Sequence, residues 1–163
     1  MDLKTIKEFP VTVYSITEQY SPTISKGRCR IFYKYKNRNG SYITDEFAEK
    51  LIKTLPYTPV KGIYDNFDED YTDHGDERSR GRIYGIVPER HNFAWEAHKD
   101  EDGVERIYAC ADVFIYTALY DEATTIVGKS QSMELYEPSI TGDWSIINGE
   151  KLFKFQDACF LGL

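Results

Sequence analysis

Basic charge, cysteine, histidine and long apolar runs are all scarce in this 163-residue sequence, which has 20 Lys and Arg against 27 Asp and Glu. A net charge of −7 argues against a general nucleic-acid-binding protein, because phosphate contacts require clustered Lys and Arg. No apolar run reaches the roughly 18 residues that span a bilayer, and the N-terminus lacks the apolar core of a signal peptide. The sequence therefore predicts a cytosolic protein with neither a membrane nor a nucleic-acid partner.

The three cysteines, Cys29, Cys110 and Cys159, are too few and too widely spaced for a disulfide framework. We expect them to be reduced and mostly buried. The glycines form neither a P-loop nor a GxGxxG motif, so no nucleotide cofactor is indicated. The acidic residues around His74 lack a second His or Cys for zinc and do not fit the spacing of a calcium loop. The sequence predicts no cofactor and no metal.

Aromatic residues, in contrast, are abundant, with 13 Tyr and 9 Phe, which favour strands and half-buried surfaces. Alternating apolar and polar residues predict many short strands, including a basic one within 28–38 that would have one solvated face. Turns are predicted at Asp102-Gly103 and at Asn148-Gly149. Two helices are predicted, one after Thr44 or Asp45 and ending at Pro56, and one closed by Gly128 with Leu119, Ala123, Ile126 and Val127 inward. The expected class is α+β, a mostly antiparallel, barrel-like sheet with a few helices packed outside.

The length of 163 residues fits a single domain, 1–163. Its most acidic part, 64–82, is predicted to be a long exposed loop, and such loops are usually functional or disordered. The chain stops in an apolar run, "LFKFQDACFLGL", with no polar tail. We therefore expect a domain cut from a longer protein.

The stretch "GKSQSMELY" is the first candidate for chemistry. On a strand, Ser130, Ser132 and Glu134 share one face. A serine nucleophile requires a base within hydrogen-bond reach, and there are only three histidines: His74 in the acidic loop, and His91 and His98 in a segment predicted to be a surface turn. The residues alone favour ordinary strand serines and surface histidines.

The order of these pieces resembles a known family. His74 precedes a glycine-bearing strand ("RGRIYGIV"), a long strand and a helix follow, Ser132 comes next ("KSQSMELY"), and Asp157 opens an apolar strand ("FQDACFLGL"). In this respect the sequence is similar to the prohead maturation proteases of tailed phages, which resemble the herpesvirus assembly proteases (assemblins) in fold. The resemblance covers about residues 55–163, and residues 1–50 carry none.

The resemblance implies roles for particular residues. Ser132 would be the nucleophile, with Ser130 as the alternative, His74 the general base, and Asp157 the carboxylate that orients the base. The sequence departs from the pattern at Glu134, where glycine is common. The assemblins also use a second histidine and nearby arginines that have no counterpart after residue 157, so the oxyanion donor is a choice between a backbone amide, Arg80 and Arg82.

The implied function is that of a serine endopeptidase that cleaves the phage scaffold, the major capsid protein and itself inside an assembling prohead in the host cytoplasm. No cofactor is implied. Assemblins dimerise, so a homodimer is also implied, without an indication of its surface. Two alternatives stay open: a catalytically silent head-assembly or scaffolding protein that retains the protease fold, and a metal-dependent hydrolase that uses the acidic loop.

Overall fold

Antiparallel strands dominate the computed structural model, which describes residues 8–65, 70–73 and 81–163. The strands are β1 (Glu8–Ser21), β2 (Ile24–Tyr33), β3 (Tyr35–Lys36), β4 (Ser41–Ile43), β5 (Pro59–Asp65), β6 (Asp70–Asp73), β7 (Arg82–Ile86), β8 (Ala94–Lys99), β9 (Glu105–Ile115), β10 (Ser130–Leu135), β11 (Thr141–Ile147), β12 (Glu150–Asp157) and β13 (Phe160–Gly162). The described helices are α1 (Asp45–Ile52) and two short 3₁₀ helices, Asp121–Ile126 and Glu137–Ser139. The predicted mostly antiparallel sheet with a few helices is confirmed.

The strands form two sheets. The larger has nine strands in the order β13-β10-β1-β2-β9-β7-β5-β6, with β8 paired to β9, and the smaller has the order β11-β12-β4-β3. The ladders of the described strands do not close into a barrel, so the barrel-like prediction holds only in part. Leu163 nevertheless links the end of β13 to β5, because its N–H donates to the Pro59 carbonyl (2.9 Å) and its carbonyl accepts from the Lys61 N–H (2.8 Å).

The hairpin turns follow from the turn residues. Asn148 and Gly149 join β11 to β12 with φ values of 50° and 80°, the left-handed conformation that a two-residue hairpin turn requires. Gly103, at φ 79°, closes the predicted Asp-Gly turn between β8 and β9. Both turn predictions are confirmed.

The first predicted helix is confirmed as α1. The Thr44 hydroxyl caps it by accepting a hydrogen bond from the Phe47 N–H at 3.1 Å, and two acidic residues follow in the first turn. Phe47, Ala48 and Leu51 form its buried face. The α-helix ends at Ile52, before Pro56.

The second predicted helix is only a 3₁₀ turn, Asp121–Ile126. The reason lies in consecutive β-branched residues from 124 to 127, which lose rotamer freedom in an α-helix. Ala123 and Ile126 are buried as predicted, but Leu119 and Val127 are 61% and 38% exposed, so their predicted inward orientation was wrong. Gly128 follows at φ 79°, as a closing glycine should.

The acidic stretch was also predicted too simply. Within 64–82, Asp70–Asp73 forms β6 and pairs with β5. Residues 66–69 and 74–80 lie outside the described residues.

One apolar core packs α1, the 3₁₀ turn Asp121–Ile126 and both sheets together. Each of its side chains contributes roughly 1.5–3 kcal/mol by leaving water. Its largest fully buried members are Ile31, Phe32, Ile43, Phe47, Leu51, Leu55, Tyr84, Ile115, Ile126 and Met133. In the part of the chain that the structure describes, no helix is long and apolar enough to cross a membrane.

Candidate functional site

Ser132 lies in β10, as its sequence context predicted. The backbone of β10 pairs with β1, with Ser132 opposite Pro10 and Ser130 opposite Thr12. Met133 and Leu135 are buried and half-buried Glu134 stands between them, the alternation of a strand with one core face. The side chains of Ser130 and Ser132 lie outside the described atoms.

Three strand segments meet beside Ser132. Strand β13 pairs with β10 at Glu134 and Leu135, and Leu163, which directly follows β13, is hydrogen-bonded to β5. The Lys61 ammonium of β5 then reaches the Glu134 carboxylate of β10 at 3.4 Å. We call Lys61, Glu134 and Leu163 the β5–β10 junction.

His74 lies outside the described residues, but the residues on either side of 74–80 are described. Asp73, which immediately precedes His74, is opposite Ile63 of β5, and Arg82, at the start of β7, is opposite Gly62. The described residues before and after 74–80 therefore lie opposite neighbouring residues of β5, next to Lys61. The β5–β10 junction connects this point to the strand that carries Ser132.

Asp157 lies elsewhere. It ends β12 in the smaller sheet, opposite Thr141, with a 55% exposed carboxylate that pairs with Lys50 at 3.3 Å. The Tyr136 N–H donates to the carbonyl of Cys159, so Asp157 approaches β10 at its Tyr136 end. Four residues of extended strand, roughly 13 Å, separate that end from Ser132. The structure does not bring Asp157 to Ser132.

Arg82, the candidate oxyanion donor, has other partners. Its guanidinium is 2.8 Å from the Glu122 carboxylate and 4.6 Å from the centre of the Tyr120 ring. Tyr84 also donates to Glu122, at 2.6 Å. Burial raises the pKa of Glu122, but the hydrogen bonds outweigh burial and leave that pKa below its ordinary value. Arg82 therefore holds a buried carboxylate, and Arg80 lies outside the described residues.

A second polar centre, which the sequence did not predict, lies on β2, β8 and β9. Arg28 is 14% exposed and donates to Asp112 at 3.0 Å and, through Nε, to Glu96 at 2.9 Å. Asn92 donates to the other oxygen of Asp112 at 2.6 Å, and Tyr14 donates to Glu96 at 2.7 Å. We call these five residues the Arg28 network.

The Arg28 network corrects two predictions. The face of the basic strand that was expected to be solvated is covered, because 94–99 forms strand β8 instead of a surface turn. Tyr14 is on β1, three strands from β8 in the sheet order, yet its ring is 4.6 Å from that of His98. This contact requires β8 to curl over the face of the sheet. The signal was Asp112, a carboxylate within an otherwise apolar strand, which needs a partner when buried.

The two described histidines border this network. His98 Nε2 is 3.6 Å from the Cys110 sulfur and 3.7 Å from Glu96 Oε1. Burial, reinforced by Glu96, raises the pKa of the Cys110 thiol to about 12, which keeps it protonated. The Nδ1 atom of His91 is buried and has no hydrogen-bond partner among the described residues, and burial lowers the pKa of His91. All three cysteines are free, and Cys29 and Cys110 are buried, as predicted.

Comparison with known proteins places the chain in a family without assigning an activity. No curated protein and no solved structure matches the chain. A family model described as the YonD N-terminal domain matches residues 23–163, so the match includes part of the first 50 residues, where the sequence offered no resemblance. YonD is a prophage-type protein of Bacillus, which indicates a phage origin and says nothing of proteolysis. Because the match spans most of its length, the chain belongs to the YonD N-terminal domain family.

Proposed function

We propose that this chain is a serine endopeptidase of phage capsid maturation, with Ser132 as nucleophile and His74 as general base. The observation that carries the proposal is the position of Asp73 and Arg82, the strand residues before and after His74. They are opposite Ile63 and Gly62 of β5, beside the Lys61–Glu134 contact with the serine strand. The phage-type family supports the setting.

The proposed chemistry is acyl transfer. His74 takes the Ser132 proton as the hydroxyl attacks the peptide carbonyl, and returns it to the leaving amine, which leaves an acyl-enzyme for water to hydrolyse. Scaffold protein, major capsid protein and the chain itself are the proposed substrates. The proposed fold is that of the prohead proteases and assemblins, and the hydrogen bonds by which Leu163 links β13 to β5 support it.

A catalytically silent head-assembly protein is the second candidate, and one observation favours it. Asp157 pairs with Lys50 and lies at the far end of β10 from Ser132. An enzyme of this kind would then lack the carboxylate that the family pattern assigns to it. This candidate keeps the same phage setting and predicts no cleavage.

The test is cleavage of scaffold and capsid precursors of the same phage, followed on a gel with the unaltered chain, Ser132→Ala and Ser130→Ala. Loss of a catalytic serine or its base costs on the order of 10⁴-fold or more in rate. We expect unaltered chain and Ser130→Ala to cleave, and Ser132→Ala and His74→Gln not to. Loss in Ser130→Ala alone would move the nucleophile to Ser130. Identical band patterns in all four would reject the protease and leave the silent assembly protein.

A further inference from the structure

Three side chains of different chemistry converge beside the Arg28 network. Glu96 and His98 come from β8 and Cys110 from β9. His98 Nε2 is 3.6 Å from Cys110 Sγ and 3.7 Å from Glu96 Oε1, and the three ligand-type atoms all lie within 4.8 Å of one another. The proposed protease chemistry does not involve these three side chains, and the packing of the core does not explain why they converge.

These separations suit one metal ion. A tetrahedral zinc has bonds of about 2.3 Å to sulfur and about 2.0–2.1 Å to nitrogen or oxygen, which places its ligand atoms roughly 3.3–3.6 Å apart. The two distances that involve His98 already lie within a few tenths of an ångström of that range. Only the approach of Glu96 to Cys110 has to tighten, and Glu96 is a side chain with three rotatable bonds.

The surroundings hold the ligands in the way that metal sites require. The Glu96 oxygen nearest His98 accepts from the Tyr14 hydroxyl at 2.7 Å, and the other oxygen accepts from Arg28 Nε at 2.9 Å. Outer hydrogen bonds of this kind orient ligating carboxylates and support metal affinity. Tyr14 also packs on the His98 ring at 4.6 Å between ring centres, which restricts the orientation of the imidazole.

The charges beside the cluster admit a divalent cation. Arg28 contacts two carboxylates, Glu96 and Asp112, and the Lys26 ammonium lies 3.8 Å from Asp112. Glu96 and a Cys110 thiolate are the two negative groups that would face an ion of charge +2 directly, and its charge would offset theirs. The donor set selects the metal: thiolate with imidazole favours zinc, whereas magnesium and calcium prefer oxygen ligands alone.

We propose that Glu96, His98 and Cys110 bind a zinc ion, with the fourth position open to solvent. The Cys110 side is buried, but the Glu96 and His98 side chains are 30% and 20% exposed, so water can complete the coordination. The site is separate from Ser132 and does not depend on the proposed protease activity.

Cobalt and zinc titrations of the untagged, chelator-treated protein test this site. Cobalt(II) bound by a thiolate in a tetrahedral site gives a sulfur-to-metal absorption band and intense visible bands, and zinc should remove both by displacement. We expect saturation at one cobalt per chain, loss of the signal in Cys110→Ala, and affinity weakened by about 10–100-fold or more in His98→Gln. Cys159→Ala and His91→Gln, which change the same residue types outside the cluster, should bind as the unaltered chain does.

A folding defect in a variant would not obscure the answer. Circular dichroism checks each variant before titration, and His98→Gln, which alters a partly exposed side chain, carries the test if Cys110→Ala fails to fold. Zinc should also raise the melting temperature of the unaltered chain and not that of His98→Gln. Absence of saturable cobalt binding, or equal binding by His98→Gln and the unaltered chain, would overturn the proposal.

Discussion

The β5–β10 junction and the Arg28 network are built differently, although both join strands that are distant in sequence. At the junction, strand ends meet through one ammonium–carboxylate contact of 3.4 Å and the backbone of Leu163. In the Arg28 network, the Arg28 guanidinium contacts two carboxylates and the backbone carbonyls of residues 91 and 92. The three charged residues lie on the adjacent strands β2, β8 and β9. The junction therefore depends on fewer polar contacts than the network, which is a preformed polar centre.

The largest effect that separates these regions is expected from Arg28→Met. Removal of the guanidinium leaves Asp112, which is 8% exposed, with Asn92 and a Lys26 ammonium 3.8 Å away, and leaves half-buried Glu96 with Tyr14, which costs at most about 3–5 kcal/mol in the free energy of unfolding. The matched change at the junction, Lys61→Met, should cost less, about 1.5–3 kcal/mol, since it removes one long contact with a single carboxylate that is 21% exposed. Urea unfolding followed by tryptophan fluorescence measures both. Equal losses would show that the junction is as tightly built as the network.

Sequence patterns predicted the parts of this molecule that depend on local physics. The cap at Thr44, the Asn148–Gly149 turn and the strand around Ser132 follow from residues within a few positions of one another. The curl of β8 over β2 and β9 does not, because it depends on which strands become neighbours.

The candidate sites show the same difference between local patterns and contacts that depend on the fold. The order of motifs along the chain could not predict that Asp157 lies in the smaller sheet, because sequence order does not fix the distance between residues in the fold. The convergence of His98 and Cys110, twelve positions apart on two strands, matches no spacing motif. The sequence signal for this convergence was Asp112, a charged residue in an otherwise apolar strand, which requires a polar partner when it is buried.

An intermediate effect is expected from Glu122→Gln, next to the candidate oxyanion arginine. At neutral pH the change weakens hydrogen bonds from Arg82 and Tyr84 to a charged acceptor, a loss of about 1.5–3 kcal/mol. Because the pKa of Glu122 is lowered in the folded state, its contribution is present above the ordinary value of 4.5 and is lost as pH falls through the folded pKa.

The difference between unaltered chain and Glu122→Gln should therefore be largest near neutral pH and shrink in acid. Urea midpoints measured at intervals from about pH 7 down to about pH 3 would show the convergence. Glu89→Gln, at an exposed position, should run parallel to the unaltered chain throughout. A constant gap between Glu122→Gln and the unaltered chain would mean that the Arg82 and Tyr84 contacts do not depend on the charge of Glu122.

The smallest effect is expected from Asp157→Asn, and it bears on the proposed catalytic site. The Lys50–Asp157 pair is exposed on both sides, at 43% and 55%, so its loss should change the free energy of unfolding by less than about 1 kcal/mol. If Ser132 and His74 work without Asp157, the cleavage rate should also stay within a few-fold of the unaltered rate. If Asp157 oriented the catalytic histidine, its mutation to the amide would instead lower the cleavage rate by about 10⁴-fold.

Lys50→Ala is the control, since it removes the same ion pair and leaves the carboxylate. A large loss of rate in Asp157→Asn with unchanged stability and a normal Lys50→Ala would make Asp157 the third catalytic residue and require the β10 and β12 ends to approach each other during catalysis. An unchanged rate in both would exclude Asp157 from the proposed catalysis and direct the search for the residue that orients His74 to the chain near Ile63 and Glu134.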